Sequence, residues 1–196
     1  MSLTVKENAT TNIPLLAEGT YPAVCNMLID LGDQYSEKFD KTSRQVLICW
    51  ELPNETLDNG ETRRFSKTYT ASLNSKGNLR RDLISWRGRD FTIDELKAFD
   101  LKNIVGAPCL LQIIHKTAVD GQKRASIAGI MSLPKGMPVP ALTDGFVILD
   151  LDEPGAFDKL DQLPEWVQER IKQSDTYKQR TTFQGELSAA DGELPF

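Results

Sequence analysis

The chain has 196 residues, 40% of them hydrophobic and 26% charged, which suffices for one domain with its own core plus appendages. No apolar run approaches the length of a membrane span (Ala107–Leu111 is typical), and the N-terminus lacks the basic-then-apolar order of a signal peptide. The net charge of −5 hides a segregation: residues 1–140 hold 18 Lys/Arg against 16 Asp/Glu, whereas residues 141–196 hold 5 against 12.

Residues 1–18 are mostly polar and read as a flexible N-terminal arm. From Thr20 to Leu31 the pattern alternates, placing Tyr21, Ala23, Cys25, Met27, Ile29 and Leu31 on one face of a strand. Gln34–Ser43 reads as a polar loop, and Gln45–Leu52 as a second strand ended by Pro53. Asn54–Gly60 closes on an Asn-Gly hairpin signal before a third strand over Thr62–Leu73. Asn78–Trp86 then sets Leu79, Leu83 and Trp86 on one helical face, with Asn74 or Ser75 as cap and Gly88 as stop. Thr92-Ile-Asp-Glu95 is a capping box for a second short helix through Phe99. Pro108–Lys116 and Arg124–Leu133 read as two further strands around a turn at Asp120-Gly121. Three strands, a helical insert and two strands is the element order of the oligonucleotide-binding (OB) barrel. The expected fold is therefore mainly β: an OB-fold-like five-stranded barrel over residues 19–140, with the helical insert between strands 3 and 4. Another small β-rich fold is compatible with the same order.

Pro134-Lys-Gly-Met-Pro-Val-Pro140 is a proline-punctuated exit from the sheet. A C-terminal extension over residues 141–172 follows, with an edge strand at Phe146–Leu149 and a short helix at Leu163–Ile171. Pro164 suits the first turn of that helix, and Leu163, Trp166, Val167 and Ile171 form its apolar stripe. Residues 173–196 are rich in Ser, Thr, Gln, Gly and charge, and read as a disordered acidic tail. The three cysteines, Cys25, Cys49 and Cys109, sit singly in apolar strands with no Cys-x-x-Cys spacing. Reduced thiols of a cytoplasmic protein are expected.

Candidate binding residues are found where aromatics and bases interleave. On the third strand Arg63, Phe65, Lys67 and Tyr69 share a side, an arrangement suited to bases stacking on rings while cations meet phosphates. The competing reading puts Phe65 and Tyr69 in the barrel interior with Lys67 at an edge; Trp50 carries the same ambiguity. Tyr35 and Phe39, with Lys38, Lys41 and Arg44, lie around the first loop. Lys76, Arg80 and Arg81 belong to the basic stretch Arg63–Arg89, which has eight bases and one acid, Asp82. Lys116, Lys123 and Arg124 flank the last hairpin. Much of this basic charge is equally compatible with a solvated helix face.

The C-terminal residues Asp191-Gly-Glu193-Leu194-Pro195-Phe196 resemble the acidic tip of bacterial and phage single-stranded DNA-binding proteins. The middle segment Asn78–Thr92, with Phe99-Asp-Leu101 and Leu133-Pro-Lys-Gly136, resembles small phage proteins of replication and recombination modules, a likeness covering roughly residues 18–140. The resemblance implies a sequence-tolerant single-stranded DNA-binding protein in the host cytoplasm, with no cofactor and with the tip recruiting replication or recombination proteins. The Trp-bearing helix and short polar linker before the tip depart from the bacterial pattern, so the bacterial-type tetramer does not carry over; homo-oligomerisation remains open.

Other readings are an RNA-binding or protein-interaction module and a metal-dependent nuclease. The single histidine, His115, lies in an apolar strand and reads as structural. Neither a Walker-type phosphate loop nor a strand–Gly-x-Gly-x-x-Gly–helix unit is present. A carboxylate nuclease requires Asp30, Asp33 and Glu51 to converge. The expectation is a binding protein, not an enzyme.

Overall fold

The structure is a computed structural model that describes residues 14–143 and 145–190, with side chains as far as Thr182. It is mainly β. Strands β1 (Gly19–Ser36), β2 (Lys41–Thr56), β3 (Thr62–Thr70), β4 (Pro108–Thr117) and β5 (Lys123–Met131) form an antiparallel sheet in the order β3-β2-β1-β4-β5. A sixth strand, β6 (Val147–Leu149), pairs parallel with β1 at Met27–Ile29. No ladder joins β3 to β5, so the sheet is not closed into a barrel as the element order suggested.

β1 organises the sheet. Its first part, Gly19–Val24, pairs with β4, and Val24–Ser36 pairs with β2. Two register shifts interrupt the second ladder, between Cys25 and Met27 and between Asp30 and Gly32. A bulge inserts one residue and so inverts the inward–outward alternation beyond it. Ala23, Cys25 and Leu28 therefore join one core, while Ile29 and Leu31 join another, with Met27 packed against it. The single shared face expected for Tyr21–Leu31 is corrected accordingly. Gly32, at φ +72°, sits where a Cβ would meet the Ser174 hydroxyl at 2.7 Å, so both conformation and close approach favour glycine there. The polar loop expected at Gln34–Ser43 shrinks to the tip of a hairpin, because the ladder continues to Ser36↔Lys41.

The insert follows the sequence pattern closely. Helix α1 (Asn78–Arg87) buries Leu79, Leu83 and Trp86 and stops at Gly88 in the left-handed region. Its N-cap is Gly77, without a side-chain cap; Asn74 instead accepts from the Lys76 and Gly77 amides. Helix α2 (Ile93–Lys97) begins with the reciprocal Thr92–Glu95 capping box. The main core lies under α1, where Trp50 and Trp86 pack with ring centroids 5.7 Å apart.

A second core fills the opposite face of β1 and β2. The C-terminal extension supplies Leu149, Leu151, Leu160, Leu163, Val167 and Ile171 to it. Helix α3 (Glu165–Lys172) carries this stripe, but Trp166 is 51% exposed and is no part of it. The expected disordered tail from residue 173 is also corrected: helix α4 spans Asp175–Ala190. Its first turns are docked on β1, where Thr176 Oγ1 accepts from the Asp33 amide at 2.9 Å and donates to the Asp33 carboxylate at 3.0 Å. Tyr177 packs edge-on against Phe157. The extension thus runs past residue 172 into α4.

The last residues of the expected N-terminal arm, from Pro14 to Glu18, are likewise held by the fold. Leu16 is buried in the main core, Pro14 accepts from Arg63, and Glu18 and Leu16 both hold His115. His115 therefore positions the chain before β1. Residues 1–13 lie outside the described residues.

Candidate nucleic-acid interface

A groove of about 690 Å³ opens between the β1–β2 hairpin, β3 and the start of α1. It is lined by Lys41 and Gln45 of β2, by Thr68, Tyr69 and Thr70 of β3, by Ser72, Asn74, Lys76, Gly77 and Asn78, and by Arg170 of α3. Its lining contains three cations, Lys41, Lys76 and Arg170, and no carboxylate. Arg170 reaches in by donating to Gln45 Oε1 at 2.9 Å. Gly77 and Asn78 bring the positive end of α1 to the wall, and the first turn of that helix carries no acidic residue. Such a wall attracts anions, and the adjoining hydroxyls of Thr68, Thr70 and Ser72 add neutral donors.

The hairpin also carries exposed rings. Tyr35 and Phe39, on the hairpin that delivers Lys41, are 57% and 72% exposed. Tyr35 donates to Asp40 at 2.7 Å, a bond that raises the phenol above its ordinary range. Lys38 lies over the Phe39 ring at 5.5 Å. Both rings are thus open to solvent.

The third-strand platform does not form. Trp50 is fully buried and Tyr69 is 3% exposed, so neither offers a free ring face to a base. Phe65 packs against the main core. Lys67 turns inward to Asp82 at 2.6 Å, and Tyr69 donates to the same carboxylate at 2.9 Å. Burial first, and the Asp82 charge second, push the Tyr69 phenol far up. Phe65 and Tyr69 in the interior with Lys67 at the edge is the arrangement found.

Most of the basic stretch is neutralised from within. Arg80 pairs with Asp90 at 3.2 Å, and Arg81 approaches Asp82 at 3.3 Å. Arg87 and Arg89 both hold Glu95, whose carboxyl is lowered to about 2, chiefly by the Arg89 hydrogen bond and then by the Thr92 amide. Arg63 is committed to Pro14. Lys116, Lys123 and Arg124 sit at the β4–β5 tip beside Gly19, the opposite end of β1 from the groove, and Arg124 pairs with Asp120 at 2.5 Å. Of the expected cations, Lys41 and Lys76 line the groove.

The nuclease carboxylates are held apart. Asp30 pairs with Arg44, Asp33 with Thr176, and Glu51 accepts from Thr143 and Asn26. Among the described residues no group of three His, Cys, Asp or Glu could hold a metal ion. The three thiols are buried, and desolvation raises Cys25 and Cys49 to about 12. The tip residues Asp191, Glu193, Leu194, Pro195 and Phe196 lie outside the described residues.

Gln45 and Arg170 were missed in the sequence because neither belongs to a local motif. Arg170 joins the groove only through the packing of α3 on β1 and β2. No helix among the described residues is long and apolar enough to cross a membrane. The sequence matches no protein-family model and no curated protein.

Proposed function

We propose that this chain binds single-stranded DNA with little sequence preference, using the groove between the β1–β2 hairpin and α1. The observation that carries the reading is a groove whose lining holds three cations and no carboxylate, one of them on the hairpin that also carries the exposed rings of Tyr35 and Phe39. Cations track phosphates and rings stack bases without reading their edges, the combination that single-strand binders use. We further read the sheet as a partly open OB fold. In support, β1 is shared by both halves of the sheet and a helical insert separates β3 from β4. Its edges, β3 and β5, are the pair that would have to meet to close a barrel.

The reading extends to the family the sequence resembles: a phage protein that coats single strands during replication or recombination. Its Asp191–Phe196 tip would then recruit partner proteins by placing the Phe196 ring in an apolar pocket. The test is fluorescence anisotropy with labelled poly-dT, duplex DNA and single-stranded RNA over a salt series. Tightest binding to poly-dT, weakening steeply with salt, supports the reading. Preference for RNA would favour an RNA-binding module. Absence of binding to all three would favour a protein-interaction module.

A further inference from the structure

The apolar stripe of α3 leaves one large residue out. Leu163, Val167 and Ile171 are buried to 6% exposure or less, whereas Trp166 is half exposed. Its direction follows from helix geometry. Successive residues turn by about 100°, so Trp166 and Arg170 lie about 40° apart on the same flank of the buried stripe. Arg170 on that flank reaches Gln45 and lines the groove. Glu169 and Glu165 lie further round, toward solvent and away from the groove. Trp166 is thus set one turn from a groove cation, with its large ring unused by the core.

We propose that Trp166 is a base-stacking residue that extends the groove onto the C-terminal extension. Arg170 holds a phosphate and Trp166 takes the neighbouring base of the same strand. The inference rests on the single-strand-binding reading of the groove. It assigns to α3 a share of the ligand contacts that the sheet supplies in a minimal binder. A π-face accepts any base, so the added contact preserves sequence tolerance.

The chain carries its own reporter. Trp50 is fully buried and Trp86 is 6% exposed, so quenching of tryptophan emission on binding reads Trp166. Poly-dT should quench the wild-type emission at saturation and leave Trp166→Phe emission unchanged. Trp166→Ala should bind poly-dT about tenfold more weakly, with Trp166→Phe restoring most of the loss. Both variants should keep the wild-type far-UV spectrum, because the side chain lies outside the core. Saturable poly-dT binding with no quenching, and with full affinity in Trp166→Ala, overturns the inference while leaving the groove reading intact. Absence of poly-dT binding by the wild type overturns both.

Discussion

The two faces of the β1–β2 pair are filled in different ways. On one face four buried aromatics, Trp50, Trp86, Tyr69 and Phe91, join aliphatic residues under a helix inserted between β3 and β4. On the other the filling is aliphatic, with Ile29, Leu31 and Leu47 meeting Leu151, Val167 and Ile171 of the extension. The first face is built from chain continuous with the sheet. The second is completed by the segment that follows it, and that segment also delivers Arg170 to the groove. The C-terminal extension is therefore a wall of the fold and of the candidate site, and its docking has direct consequences for binding.

Breaking either core should separate their contributions. Trp86→Ala removes the ring packed on Trp50 and the hydrogen bond to Pro108, and should cost about 3–5 kcal/mol in denaturant unfolding. Ile171→Ala should cost about 2–4 kcal/mol, and it should loosen α3 first. Trp50→Phe should be milder than either, since the Trp50 indole N–H has no acceptor to lose. A smaller loss for Trp86→Ala than for Trp50→Phe would show that the main core is packed otherwise.

The position of α4 sharpens the comparison further. Removing residues 174–196 deletes the Thr176–Asp33 hydrogen bonds and the Tyr177–Phe157 contact, and should cost about 2–3 kcal/mol. Removing residues 184–196 deletes three carboxylates and none of these contacts. That shorter deletion should leave stability unchanged. Equal melting curves for the two truncations would contradict the docking of α4.

Thiol labelling distinguishes the cores without mutation. Cys25 and Cys109 lie in the main core and Cys49 in the second. Burial holds Cys25 and Cys49 at about 12, so native thiols should be almost inert at pH 8. Elements at a chain end open at lower free energy than central strands. Cys49 should therefore label faster than Cys25 and Cys109 in mild denaturant, as read by mass spectrometry of digests. Equal rates would mean that the two cores open as one.

The smallest effect concerns the helical insert. The Arg89–Glu95 contact and the capping box hold the Glu95 carboxyl at about 2, below its ordinary 4.5. A depressed carboxyl stabilises the fold above its unfolded value and loses that contribution as pH falls through the folded value. The stability difference between wild type and Glu95→Gln should be constant near neutrality and shrink from about pH 4.5 toward pH 2. A difference independent of pH would remove the carboxylate from the insert's stabilisation.

Local signals in the sequence were reliable where one residue type has one use. The Thr92–Glu95 capping box, the Gly88 stop, the glycine turns at Gly60 and Gly121, and the Leu79–Leu83–Trp86 stripe all appear where expected. Features that depend on partners distant in the chain were not legible. The bulges in β1 leave no composition signal, yet they redistribute Cys25 and Ile29 between two cores. Whether a strand aromatic faces solvent depends on what covers the sheet; α1 covers Tyr69 and supplies Asp82 to neutralise Lys67. The same reason hides the groove. Lys41, Lys76 and Arg170 are far apart in sequence, and their grouping is a product of the fold. The weak hydrophobic periodicity of 173–190 concealed α4, whose first turns are fastened mainly by hydroxyls and one ring pair.

The central claim, that the groove holds the phosphates of a single strand, is tested most directly by the salt dependence of poly-dT binding. Wild type and a Lys41→Ala/Lys76→Ala double variant are compared by anisotropy, with matched far-UV spectra as control. For single strands each lost phosphate contact lowers the slope of log K against log salt by about 0.7, so the double variant should lose about 1.4. Its affinity should fall at low salt and converge toward wild type at high salt. Identical slopes in two folded proteins would place the DNA elsewhere on the molecule and contradict the claim.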